Sequence, residues 1–139
     1  MNDYLKFKDA SAYAMRNLDS QTRYTRYYKG DCDHTVDVKF GIDTSVSGVR
    51  GYYECNEYLT DGVGGTLCGG ASVYYNPPEI NNNDRPELNR EKTACHEVGH
   101  SGGLTHHASP YSDCLVNGEV ASGHRDYNEH HVEHLNNNY

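Results

Sequence analysis

The chain has no tryptophan and only two phenylalanines among its 139 residues. Apolar burial therefore falls largely to 13 tyrosines, whose hydroxyls need partners wherever the rings are buried. Cations are scarce as well: 12 Lys and Arg stand against 20 Asp and Glu, a formal net charge of −8. That balance excludes nucleic acid and anionic membrane as natural partners and weakly favours cationic peptides. No apolar run approaches a membrane span. Internal repeats and interdomain linkers are also missing, so residues 1–139 read as a single domain with one small core, and as a monomer. The segment Met1–Phe7 lacks the apolar centre of a secretory signal. Either the chain is intracellular, or Met1 was added ahead of a mature domain. The five cysteines decide for the second. Cys32, Cys55, Cys68, Cys95 and Cys114 are not in zinc-ribbon spacing and lie among Tyr-, Asn- and Gly-rich segments, the usage of an oxidised, secreted chain.

Periodicity supplies an α+β outline. Phe7, Ala10, Ala14 and Leu18 recur at helical spacing and predict an N-terminal helix over 9–27 with Asp9 as its cap. Residues 35–43 alternate with period two and form the clearest strand. Residues 51–55 and 70–76 read as further strands, the latter stopped by Pro77 and Pro78. A polar loop follows at 81–84, then a helix over 87–102 and a last helix over 126–136 capped by Asp126.

The richest stretch is His96-Glu97-Val98-Gly99-His100-Ser101-Gly102-Gly103-Leu104-Thr105-His106, the pattern HExxHxxGxxH. Residues four apart share a helix face, so His96 and His100 can present two imidazoles to one ion. Glu97 flanks that ion without binding it and is placed to take a proton from a water held there. Gly103 suits a left-handed helix end, after which the chain can turn back with His106. Three imidazoles and one open position describe a single catalytic Zn2+ rather than a closed structural site. His107 is the rival third ligand.

These residues resemble the metzincin clan of zinc endopeptidases, and the stretch from Thr93 to about Gly118 is most similar to small secreted snapalysin-like and matrixin-like members. The resemblance implies a zincin catalytic domain: a twisted mixed sheet with an N-terminal helix, an active-site helix and a C-terminal helix. It implies zinc on His96, His100 and His106, and Glu97 as general base. The clan carries a methionine in a turn beneath the metal. Here Asp113 to Gly118 holds that place without one, and Leu115 is its expected occupant, a swap that keeps volume and apolarity. Asn117 stands where some members have a tyrosine ligand. The turn's position makes Cys95–Cys114 the expected bridge, stabilising by about 3 kcal/mol through loop closure. Cys55–Cys68 would close a loop over the turn signal at 60–65, leaving Cys32 over.

The resemblance further implies that the edge strand before the active-site helix binds substrate backbone. That role is expected of Ala71, Ser72, Val73, Tyr74 and Tyr75. Residues 119–124 are expected to wall the pocket beyond the scissile bond, with His124 among them. His130, His131 and His134 include pairs at ligand spacing. Asp31, Asp33, Asp43 and Asp61 make Ca2+ a second candidate cation, although no EF-hand ligand run is present. The function expected is a secreted zinc endopeptidase acting on peptide or protein, with a propeptide or protein inhibitor as a candidate regulator. Two other classes stay open: a catalytically silent zinc-containing binding module, which would have no need of Glu97, and a zinc amidase acting on non-peptide amides.

Overall fold

The computed structural model describes residues 2–24, 37–60, 66–82, 84–106, 113–116 and 125–138. Cys32, Asp31, Asp33, Asp61, the turn at 61–65, His107, Asn117, Gly118 and the expected pocket wall at 119–124 lie outside them. The described residues form a mixed α+β arrangement with a small three-stranded mixed sheet and four helices.

Helix α1 spans Asp3–Gln21. It starts earlier than its periodicity predicts because Asn2, not Asp9, is the cap: the Asn2 side chain accepts from the Tyr4 amide at 2.7 Å. Its buried stripe is Phe7, Ala10, Ser11, Ala14 and Leu18. The helix stops where Thr22 turns both its amide and its hydroxyl onto the Leu18 carbonyl and leaves in extended conformation.

Strands β1 (Val38–Ile42), β2 (Gly51–Thr60) and β3 (Thr66–Tyr75) follow. Their order is β1-β3-β2, with β1 parallel and β2 antiparallel to β3. One face packs on α1. Phe7 stacks on Tyr75 at 4.9 Å, and the Tyr75 hydroxyl finds Ser11 Oγ at 2.9 Å, the partner a buried tyrosine requires. β2 and β3 run past the end of β1 as a hairpin, closed by a Cys55–Cys68 disulfide.

The Pro77-Pro78 pair does more than stop β3. It opens a short helix α2, Pro77–Asn81, because a proline's missing N–H costs nothing in a first turn. Ile80 of α2 is fully buried. Helix α3, Pro86–Ser101, again begins on proline and lies across the core beside α1. Helix α4, Glu129–Asn138, is capped by Asn128, whose side-chain oxygen accepts from the His131 amide at 2.8 Å. Asp126 is not the cap; it accepts instead from the Tyr13 hydroxyl at 3.0 Å. No described helix is long and apolar enough to cross a membrane.

One expectation is overturned by the strand order. Residues Ala71 to Tyr75 pair with 38–42 on one side and with 51–55 on the other. β3 is therefore the central strand, with no backbone edge to offer. Ala71, Ser72, Val73 and Tyr75 are buried and Tyr74 half-buried. The outer edge beside α3 belongs to β2.

Candidate metal centre and cleft

Helix α3 carries His96 and His100 one turn apart, facing away from the core that buries Ala94, Cys95 and Val98. Its C-terminus is what delivers the third imidazole. Gly103 has φ +89°, its amide bonds to the His100 carbonyl at 2.9 Å, and the Leu104 amide bonds to the Gly99 carbonyl at 3.0 Å. This is the paired 6→1 and 5→2 pattern of a Schellman cap, which needs a left-handed residue at that position. Leu104 is thereby buried, and two residues later His106 arrives over the helix face.

The three Nε2 atoms converge. His106 Nε2 stands 2.9 Å from His96 Nε2 and 2.9 Å from His100 Nε2, and all three donor atoms lie within 4.8 Å of one another. Two carbonyls fix the tautomers. His96 Nδ1 meets the Cys114 carbonyl at 2.8 Å and His100 Nδ1 meets the Leu104 carbonyl at 2.7 Å. A carbonyl can only accept, so each Nδ1 carries the hydrogen and each Nε2 turns a lone pair inward. A proton on His106 could satisfy one of these lone pairs but not both. A bound cation satisfies all three, and the described triad could hold one. Burial first, and the neighbouring His100 second, pull His96 down to about 3, while the Cys114 bond opposes. Burial also lowers His100, against the Leu104 bond. Both rings are therefore neutral, as ligands must be.

Beneath the helix lies the turn Asp113–Val116. A Cys95–Cys114 disulfide joins it to α3. Asp113 Oδ1 accepts from the Leu115 amide at 2.8 Å, and Oδ2 accepts from the Asn128 amide at 3.3 Å and faces His131 Nδ1. Leu115 is fully buried; a Cβ at Gly99 would stand 3.0 Å from Leu115 Cδ2, so the side chain lies directly against α3. His131, read from sequence among candidate ligands, is buried against Asp113 and holds α4 to this turn.

The triad opens into a cleft of about 700 Å³ lined by Arg50, Gly51, Tyr53, Glu79, Lys92 and Glu97, with the three histidines. Glu97 is 6% exposed, and burial pushes its carboxyl up to about 7, with Lys92 opposing. Tyr53 of β2 stacks on His100 with ring centroids 5.7 Å apart. Gly51 lets β2 come this close: a Cβ there would fall 2.8 Å from Thr93 Cγ2 and 3.3 Å from Glu97 Cγ. Lys92, one turn before His96, is buried and donates from Nζ to the Val116 carbonyl at 2.5 Å. Burial, then Arg50, draws its ammonium down to about 8. Asp43, a calcium candidate, is occupied by the Ser45 amide and the Tyr52 hydroxyl.

No family model, curated protein or solved structure matches the chain. Sequence reasoning did not find Arg50, Tyr53 or Lys92. Helical spacing could have found Lys92, which is four residues before His96. Nothing local in sequence signals that Tyr53 reaches the triad from β2.

Proposed function

We propose that the chain is a zinc-dependent endopeptidase, in keeping with its resemblance to metzincins. The observation that carries the reading is the convergence of three Nε2 atoms beside a buried carboxylate, in a cleft that runs along a strand edge. The donor set fits zinc. Nitrogens tetrahedrally bound at about 2.0–2.1 Å stand roughly 3.3 Å apart, so the two 2.9 Å pairs would open slightly and the His96–His100 pair, within 4.8 Å, would settle to the same spacing. Histidines without thiolate suit zinc among the common divalent ions. His96, His100 and His106 would hold it, and zinc so held supplies Lewis-acid polarisation of a carbonyl and acidifies a water.

The chain's own residues do the rest. Glu97, a buried carboxyl beside the triad, is placed to take a proton at one oxygen and return it to a leaving amine. Among the described residues no strand covers the outer edge of β2, so its backbone N–H and C=O groups can pair with an extended peptide and orient it over the triad. Tyr53, stacked on His100, would steady that imidazole on the β2 side of the cleft. The two disulfides fit an oxidising, extracellular setting for this activity. The test is hydrolysis of a quenched peptide library by zinc-loaded protein, abolished by chelator and restored by zinc. Absence of hydrolysis across the library would overturn the reading.

A further inference from the structure

We propose that Lys92 is a positioning residue for the metal centre: it locks the turn Asp113–Val116 so that the Cys114 carbonyl stays on the Nδ1 hydrogen of His96. The inference goes beyond the peptidase reading and rests only on the triad's being a zinc site.

Helix spacing comes first. Lys92, Cys95 and His96 stand at i, i+3 and i+4 on α3, so they share one face. All three reach the same four-residue turn. Cys95 bonds Cys114 through sulfur, His96 Nδ1 donates to the Cys114 carbonyl at 2.8 Å, and Lys92 Nζ donates to the Val116 carbonyl at 2.5 Å. The ties are not equivalent. The disulfide holds the Cys114 side chain but leaves the peptide plane between Cys114 and Leu115 free to tilt. That plane carries the carbonyl that His96 meets on one side and, on the other, the Leu115 N–H that Asp113 Oδ1 accepts at 2.8 Å. Its tilt depends on what holds the residues before and after it. Before it, the Asp113 carboxylate accepts from the Asn128 amide and faces His131, and the Cys114 amide donates to the Asp126 carbonyl at 2.9 Å. After it, the bond that closes the turn, from the Val116 amide to the Asp113 carbonyl, is long at 3.4 Å. The Lys92 bond is the firmer hold on that end.

Lysine is a costly choice at this place. Lys92 is 5% exposed, and burial, then Arg50, disfavour its ammonium, which Glu97 and Asp113 favour in turn. An apolar side chain of similar length would fill the same space without that desolvation. What lysine adds is a directed, charge-assisted bond to one carbonyl. The consequence falls on His96. With the Cys114 carbonyl fixed, Nδ1 keeps its hydrogen and Nε2 keeps its lone pair toward the triad. A turn free to tilt would open that hydrogen bond to water and leave the rest of the fold in place.

The experiment compares the parent chain with Lys92→Met and Lys92→Arg, each with and without zinc. Two quantities are read: solvent exchange of the His96 Nδ1 hydrogen, by NMR on protein carrying isotope-labelled histidine, and zinc affinity, by chelator competition. In folded Lys92→Met the hydrogen should exchange about ten-fold faster, the scale of one hydrogen bond. Zinc affinity should fall by about ten-fold, the low end of what losing a ligand's outer partner costs. Lys92→Arg, which can still donate, should stay close to the parent in both. Where Lys92→Met does not fold, Lys92→Gln takes its place with the same expectations, because its amide falls one bond short of the carbonyl. Unchanged exchange in the folded variant, whatever happens to its melting temperature or zinc affinity, would overturn the inference and leave Lys92 a structural tie. Faster exchange with unchanged zinc affinity would overturn it too, as would Lys92→Arg behaving like Lys92→Met. A parent chain that takes up no zinc would sink the metal reading alone; exchange in the zinc-free proteins would still decide whether Lys92 positions His96.

Discussion

Cys114 is tied twice to the same point on α3: its sulfur bonds Cys95, and its carbonyl accepts the Nδ1 hydrogen of the adjacent His96 at 2.8 Å. The bridge therefore orients an imidazole of the candidate metal triad as well as closing a loop. Replacing both cysteines by Ala should lower stability by about 2–4 kcal/mol. It should also weaken zinc binding by about 10- to 100-fold, the usual cost of losing a ligand's outer partner. Chelator competition on the folded variant measures the second effect; unchanged zinc affinity would show that the carbonyl stays in place without the bridge.

His106 is the pivot of the triad, since its Nε2 is 2.9 Å from each of the others. His106→Ala should lose stoichiometric zinc in native mass spectrometry, whereas His107→Ala should keep it. The reverse order of severity would move the third ligand by one residue.

Glu97→Ala should retain zinc and fold yet lose turnover by about 10²–10⁴-fold, the typical contribution of a positioned general base. Zinc content and peptide hydrolysis measured on the same preparation test it. Near-normal hydrolysis would remove Glu97 from the mechanism.

Gly51→Ala should separate the cleft's two walls. The added methyl meets Thr93 Cγ2 at 2.8 Å and the Tyr74 carbonyl at 3.0 Å, and the latter is backbone that cannot swing aside. A cost of about 1–3 kcal/mol is expected from such overpacking, together with a raised KM. Thermal unfolding and steady-state kinetics read the two effects; a variant as stable as the parent would mean that β2 tolerates displacement.

Acid should loosen the turn beneath the histidine triad. Burial raises the Asp113 carboxyl, but hydrogen bonds from His131, Leu115 and Asn128 outweigh it, so the folded value lies below the ordinary 3.8. A depressed carboxylate contributes stability that is fully present above 3.8 and lost as pH falls through the folded value. Denaturant midpoints of the zinc-free protein should thus drop below about pH 4, and Asp113→Asn should flatten that limb. Identical acid profiles for parent and variant would contradict the assignment.

Much of the candidate centre was legible because its determinants are local. The helical period puts His96 and His100 on one face, and a Gly at position 103 marks the reversal that brings in His106. The Cys95–Cys114 bridge is what the resemblance to a metzincin turn implies, and the structure contains it. What stayed hidden depends on strand order, which no local pattern encodes. β2 and β3 both read as short strands, and only the parallel pairing of β1 with β3 decides that Gly51–Thr60 is the edge. The start of α1 was missed because a distant-looking Asn2 outcompetes Asp9 as cap, and α2 because Pro77-Pro78 ends one element while opening another.

The close sequence spacing of the triad has a consequence for how the molecule comes together. His96, His100 and His106 span ten residues, one helix end and its cap, so a metal ion can be gathered with little loop-closure entropy. The cleft needs contacts of longer range: Gly51 must reach Thr93, and β3 must pair with both β1 and β2. On the proposed reading, a folding chain would be able to hold an ion before it could grip a peptide.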